Sequence, residues 1–207
     1  MNKKPLYILG YSGHAYTVID TALSKNFEIE GYFDELEKKN NPFNLKYMGS
    51  EHVSDFKTLV NDTPCFPAIG NNAIREKLVT LISHKNVQQE TLIHRSAVIN
   101  SLVEIKQSTL VNAGAVINSM SNIETGCIVN TNATIEHDCQ ISDFVHIAPG
   151  TVLAGGVFVG QSSFIGANSI VKEGLTIGSN VTIGAGSVVL ENVPDNQTWV
   201  GNPAKKI

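Results

Sequence analysis

From Ile93 onward an aliphatic residue returns at every sixth position. Ile93, Ile99, Ile105, Val111 and Ile117 open the series, and it runs unbroken through Ile135, Ile141, Ile147 and Leu153 to Ile183 and Val189. Four places after each stands a second residue, usually compact or β-branched, such as Ala97, Thr109, Ala133, Val157 or Ser187. Helices repeat near 3.6 and strands at 2, so a period of six belongs to neither alone. It predicts a three-sided parallel β-helix in which each six-residue unit makes a short strand and a corner. Three units close one coil, and the aliphatic residue and its partner point inward and stack on their equivalents one coil away. With coils about 4.8 Å apart, the prism stands roughly 27 Å tall. Corners often need positive φ, and Gly126, Gly150, Gly156, Gly174, Gly178, Gly184, Gly186, Asn112, Asn132 and Asn180 are the residues expected to supply it.

The first half has another rhythm. Residues 5–23, PLYILGYSGHAYTVIDTAL, read as a buried strand, a glycine turn and a helix. A second strand, FEIEGYFDE, ends in Asp34 and Glu35, and a second strand–turn–helix, CFPAIGNNAIREKLVTLI, follows a looser stretch. Strands alternating with helices predict a small parallel sheet, Rossmann-like in plan. The expected organisation is a nucleotide-binding domain over residues 1–85, the β-helix over 86–194 and a tail over 195–207. The turn from Gly10 to His14 would aim backbone N–H groups and a helix N-terminus at an anion. Asp34 follows at the distance of the ribose-binding acid of dinucleotide folds. Two glycines stand where the dinucleotide fingerprint has three, which argues against NAD and for a single nucleoside diphosphate. The second turn, Gly70-Asn71-Asn72, would lie at the same edge of the sheet.

Charge narrows the partners. Lys, Arg, Asp and Glu make up 16% of the chain, well under the roughly 25% usual for soluble domains, and the net charge is −4. No basic run is present, which speaks against nucleic acid or an acidic membrane surface. The opening MNKKPLYILGYSG holds too short an apolar run for a secretory signal, and no stretch reaches the length of a membrane span. Cys65, Cys127 and Cys139 have no paired spacing, and the last two read as small buried core thiols in different columns. A cytoplasmic protein is expected.

The candidate chemistry sits in IEHDCQISDFVH, residues 135–146. His137 is the third residue of its unit and so belongs to a corner. Its column neighbours one coil away are Ser119 and Gly155, both small, which leaves space around the imidazole. Histidine titrates near neutrality, and a carboxylate on one ring nitrogen makes the other a better base. Glu136 and Asp138 both flank it, and spacing alone does not choose between them. Gly155 could bring a backbone N–H to a reacting carbonyl. His146 falls half a coil away, so a site shared with His137 would need a second subunit. His14, His84 and His94 read as turn or surface residues.

The turn Gly10-Tyr11-Ser12-Gly13-His14, Phe33-Asp34-Glu35, Ala68-Ile69-Gly70-Asn71-Asn72, Ile135-Glu136-His137-Asp138-Cys139 and the ending Gly201-Asn202-Pro203-Ala204-Lys205 occur in this order. Together they resemble the sugar O- and N-acyltransferases of the sialic-acid and bacillosamine type, most of all the UDP-4-amino-sugar N-acetyltransferases. The resemblance implies a left-handed winding, a homotrimer and an acetyl-CoA site between adjacent prisms. It implies His137 as general base tuned by Asp138, and His146, Ala167 and Ala185 beside the cofactor. It also implies Ser12, Gly13, His14, Asp34 and Glu35 at a uridine-linked sugar, with no metal. Sialic-acid-type O-acetylation or a GDP-linked amine is the alternative within the class. Outside it stand a structural β-helix without catalysis and a zinc hydratase. For the latter, His94, His137 and His146 are too scattered to converge.

Overall fold

A computed structural model describes residues 3–207. The N-terminal sheet is parallel, with β1 (Lys4–Leu9) between β2 (Phe27–Phe33) and β3 (Cys65–Pro67). Helix α1 (Gly13–Ser24) follows β1, short α2 (Phe56–Val60) precedes β3, and α3 (Asn72–His84) follows it. The loose stretch also contributes to the sheet. Tyr32 pairs with Tyr47 in parallel, and Asp34 N–H donates to Gly49 O at 3.1 Å, so residues 46–49 run along the outer side of β2.

From Leu92–Ile93 to Val188–Val189, two-residue strands recur every six residues and stack into three parallel sheets, the faces of a left-handed β-helix of about six turns. Pairing is always to the residue eighteen places on, as in Thr134 with Val152 and Ile135 with Leu153. The repeated aliphatic residues from Val111 to Val189 form one continuous core. Hydroxyls and thiols at the partner positions are satisfied inside it. Thr151 Oγ1 donates to Gly166 O at 2.9 Å and Ser163 Oγ to Gly178 O at 2.7 Å, and Cys127 Sγ reaches Ser142 O at 3.0 Å in the same way. Small polar residues therefore enter the core because most of them close a corner carbonyl. Burial pushes the thiols of Cys65 and Cys127 up to about 12, so they stay protonated and unreactive.

Every sixth residue from Leu102 to Gly186 lies at φ between 54° and 70°. It is the fourth residue of its unit, and it corrects three expected corners. Gly178, Gly184 and Asn112 are second residues and have ordinary φ. The two glycines answer to crowding instead, since a Cβ at Gly184 would stand 2.6 Å from Val200 Cγ1 and one at Gly178 2.6 Å from Asp195 N. Asn112 is buried in a side-chain ladder described below. Residues 195–207 do more than trail: Thr198–Val200 extends one prism face and pairs antiparallel with Lys205–Lys206.

The two domains share a core. Leu92, Leu110 and Ile128, which point outward from one prism face, are buried with Ala15, Val18, Ile19 and Ala22 of α1. Arg75 on α3, fully buried, crosses the same junction. Its Nε donates to Gly126 O at 2.6 Å and its Nη2 to Phe144 O at 2.8 Å, both on the prism. Its Nη1 donates to the carbonyls of Ile69 and Gly70, and Nη2 also to Asn72 Oδ1. No carboxylate pairs with it among the described residues; the charge is dispersed over carbonyl dipoles. Arg75→Leu should strip these bonds and leave buried carbonyls without donors, costing more than about 3 kcal/mol. Thermal unfolding should show a Tm lower by roughly 6–12 °C; an unchanged or higher Tm would mean that desolvating the charge outweighs its hydrogen bonds.

Candidate active site

His137 and Asp138 stand at the corner between two prism faces, their side chains 64% and 58% exposed. Asp138 occupies the left-handed position of its unit at φ 60°, a conformation that Asp accepts more readily than most residues. Its Oδ2 lies 2.7 Å from His137 Nδ1. The carboxylate accepts the Nδ1–H and leaves Nε2 free to take a proton. Glu136 is engaged elsewhere, accepting from Asn118 Nδ2 at 2.9 Å, so the choice between the two flanking acids falls on Asp138.

One coil up, Gly155 lies against the imidazole. A Cβ there would meet His137 Cε1 and Nε2 at 2.7 Å, so any larger residue would push the ring away. Among the described residues the Gly155 N–H has no hydrogen-bond partner, and neither have those of Ala167 and Ala185. Ala167 and Ala185 stack in one column at the next corner, across the face that carries Thr134, Val152 and Ile170. His137, the free Gly155 N–H beside it and the free N–H groups of Ala167 and Ala185 thus border a single face of the prism.

His146 lies apart, 8% exposed at the domain junction. Its Nδ1 meets Gly70 O at 3.3 Å, its Nε2 meets Asn130 Nδ2 at 3.1 Å, and its ring is edge-on to Phe164. Asn130 Oδ1 accepts from Asn112 Nδ2, whose Oδ1 accepts from Thr21 on α1. His14, expected as a turn residue, sits in the first turn of α1 with its ring 6.2 Å from that of His146. Burial first and the Arg75 charge second lower His14 to about 4 and His146 to about 3. Both imidazoles are neutral at physiological pH.

The remaining candidates gather at the carboxyl edge of the N-terminal sheet. Asp34 Oδ2 accepts from Tyr11 N–H at 2.9 Å and its Oδ1 lies 2.6 Å from Lys38 Nζ, so this acid shapes the turn. Ser12 and Gly13 are exposed at the start of α1, with open space above Gly13. Glu35 is exposed. Asn71 caps α3 through Ile74 N–H at 3.1 Å, and Gly70 O is held by Arg75. A cavity of about 370 Å³ touches Gly10, Asp34, Glu35 and Ile69. Among the described residues no group of three His, Cys, Asp or Glu could hold a metal ion. Sequence reasoning missed Arg75, whose signal was a lone cation in step with Leu78, Val79 and Ile82 on the buried side of α3.

Residues 5–82 match the PglD N-terminal domain family, and residues 156–191 match the bacterial transferase hexapeptide family. Among solved structures, the acetyltransferase domain of PglB from Neisseria gonorrhoeae in complex with acetyl coenzyme A is 32% identical, with a TM-score of 0.90. The match covers 99% of this chain and 100% of that one. A histidine-to-asparagine variant of perosamine N-acetyltransferase from Caulobacter crescentus, in complex with CoA and GDP-perosamine, is 30% identical, TM-score 0.92, covering 98% and 96%. WeeI from Acinetobacter baumannii is 25% identical, TM-score 0.86, covering 99% and 100%.

The neutral histidines make stability depend on pH. Unfolded, both bind protons near pH 6.5; folded, they refuse them until pH nears 4 and 3. The unfolded chain therefore holds more protons in that window, and stability is lost as pH falls from about 6.5 towards 4. Melting curves over pH 7.5 to 4.5 should show a steep fall that flattens in a His14→Gln, His146→Gln double variant. Parallel curves for the two proteins would contradict this.

Proposed function

The chain belongs to the hexapeptide-repeat sugar N-acetyltransferases of the bacillosamine type, and on that footing we propose that it acetylates the C4 amino group of a nucleoside-diphosphate-linked amino-deoxysugar with His137 as general base. Acetyl-CoA, bound in the PglB neighbour, supplies an acyl group activated as a thioester. The observation that carries the reading is the exposed His137–Asp138 pair seated on a glycine whose N–H is free.

An amine attacks as its free base and must shed a proton as the new bond forms. His137 Nε2 takes that proton while Asp138 holds the ring by Nδ1 and steadies the imidazolium. The Gly155 N–H offers a donor to the acyl oxygen as charge builds on it, an effect worth about 3 kcal/mol, and collapse of the adduct breaks the C–S bond, releasing CoA as the thiol with the proton that His137 returns. Ala167 and Ala185 lie along the carrier's path, and the neutral His146 stands where the nucleotide domain meets the prism. Ser12, Gly13, His14, Asp34, Glu35, Gly70 and Asn71 border the nucleotide-sugar side. The resemblance implies uridine as the nucleoside, whereas a solved neighbour holds GDP-perosamine.

A trimer fits the surface. The prism face between the two corners presents Val98, Val116, Thr134, Val152, Ile170 and Val188 outward, with Val98 51% and Ile170 47% exposed. A β-branched stripe of this kind is a surface for another copy, and a monomer in sedimentation equilibrium would overturn this part. The unpaired thiols fit the cytoplasmic setting we infer.

Thiol release from acetyl-CoA in the presence of UDP-, GDP- and CMP-linked sugars tests the reading. Activity should require an amine acceptor. His137→Ala should lower kcat about 10²–10⁴-fold. Gly155→Ala should lower kcat/KM about 10²-fold with little change in Tm, because the displaced ring can swing into solvent. Activity on hydroxyl acceptors alone, or an undiminished His137→Ala, would contradict the proposal.

A further inference from the structure

One buried chain of hydrogen bonds crosses from α1 through the prism to the turn before α3. The Thr21 hydroxyl donates to Asn112 Oδ1 at 2.9 Å, and Asn112 Nδ2 donates to Asn130 Oδ1 at 2.9 Å. Asn130 Nδ2 donates to His146 Nε2 at 3.1 Å, and His146 Nδ1 meets Gly70 O at 3.3 Å. Thr21 and Asn112 are each 2% exposed. Two backbone groups fix the direction of every bond. Thr131 N–H, which can only donate, reaches Asn130 Oδ1 at 2.8 Å and so turns the Asn130 nitrogen towards His146. Gly70 O, which can only accept, calls for the proton on Nδ1. Asn112 must then aim its oxygen at α1, where the Thr21 hydroxyl is its one donor among the described residues.

At its far end the chain of bonds supports a cavity. His146 holds Gly70 by its Nδ1–H and lies edge-on to Phe164, with ring centroids 5.1 Å apart. Gly70 and Phe164, with Asn71, Asn72, Asn180 and Thr182, line a cavity of about 400 Å³ where the turn before α3 meets the prism. Neither Thr21 nor Asn112 lines it. We propose that Thr21 and Asn112 are positioning residues: through Asn130 they keep His146 in one tautomer and one place, and thereby set two walls, Gly70 and Phe164, of the cavity that takes the acceptor sugar. This rests on the nucleotide-sugar reading above, and its test is chosen to fail separately from it. A buried carbonyl oxygen stripped of its donor is costly, so loss of the Thr21 hydroxyl is felt along the whole chain of bonds and not at α1 alone.

Thr21→Val replaces the hydroxyl by a methyl group and keeps the branched side chain, whereas Thr21→Ser keeps the hydroxyl. Nitrogen NMR of the intact protein, isotopically labelled in its histidines, reads His146 without any substrate. In the wild type the ring proton should sit on Nδ1 and exchange slowly with water. In Thr21→Val it should exchange about tenfold faster or more, and in Thr21→Ser it should stay slow. Steady-state acetylation gives the second readout. Thr21→Val should raise KM for the nucleotide-linked amine about 3–10-fold, with kcat and KM for acetyl-CoA within about twofold of wild type, and Thr21→Ser should restore it. A merely structural hydroxyl would lower Tm in Thr21→Val and leave the His146 proton and the acceptor KM as in the wild type, which would overturn the proposal. So would a wild-type His146 protonated on Nε2. Turnover with an acceptor KM unmoved in Thr21→Val would overturn the positioning role and leave the acetyl transfer standing. No turnover of any nucleotide-linked amine would overturn the acetyl-transfer reading, and the exchange of the His146 proton would still decide whether Thr21 governs it.

Discussion

A three-sided coil closes only if all its corners turn alike, and here each turn is made by one residue at positive φ, six places after the last. That constraint keeps every aliphatic residue over its equivalent in the next coil. It also holds each corner side chain directly above another at strand spacing. His137 over Gly155 is one such stack, and Asp138 is the left-handed corner residue itself. The geometry of the proposed base is thus a property of the repeat. A change in the period anywhere between residues 137 and 155 would move the imidazole off its glycine.

The second domain is tied to this column by a charge. Arg75 sinks a guanidinium into the junction and spends all its donors on carbonyls from both sides and on Asn72. Burial first, and repulsion by this charge second, keep His14 and His146 neutral. A neutral His146 with its proton on Nδ1 can donate to Gly70 O and accept from Asn130, which extends the asparagine ladder from α1 into the turn before α3. Hydrogen bonding and electrostatics therefore agree on one protonation state at the place where the N-terminal domain and the prism meet.

The prism was legible because its signal is periodic: a six-residue beat has one structural solution, and strand boundaries followed from the aliphatic positions. The corners were less so. Glycine and asparagine flagged Gly126, Asn132 and Asn180, but Leu102, Met120 and Phe144 adopt the same φ against their own preference, because the coil imposes it. Gly178 and Gly184 are glycines for want of space. At the site, His137 and Gly155 followed from column arithmetic, whereas the choice of Asp138 over Glu136 depended on side-chain directions that spacing does not carry. Arg75 left little trace, since its meaning comes from the carbonyls that other parts of the chain bring to it.

The account turns on whether the acceptor amine reaches His137. A crystal structure of the protein with CoA and a nucleotide-linked amino sugar would measure this directly. The account predicts the sugar nitrogen within hydrogen-bonding distance of His137 Nε2, with the pantetheine thiol beside the Gly155 N–H and along the column of Ala167 and Ala185. An amine bound away from residue 137, or a carrier lying on a different face of the prism, would contradict it.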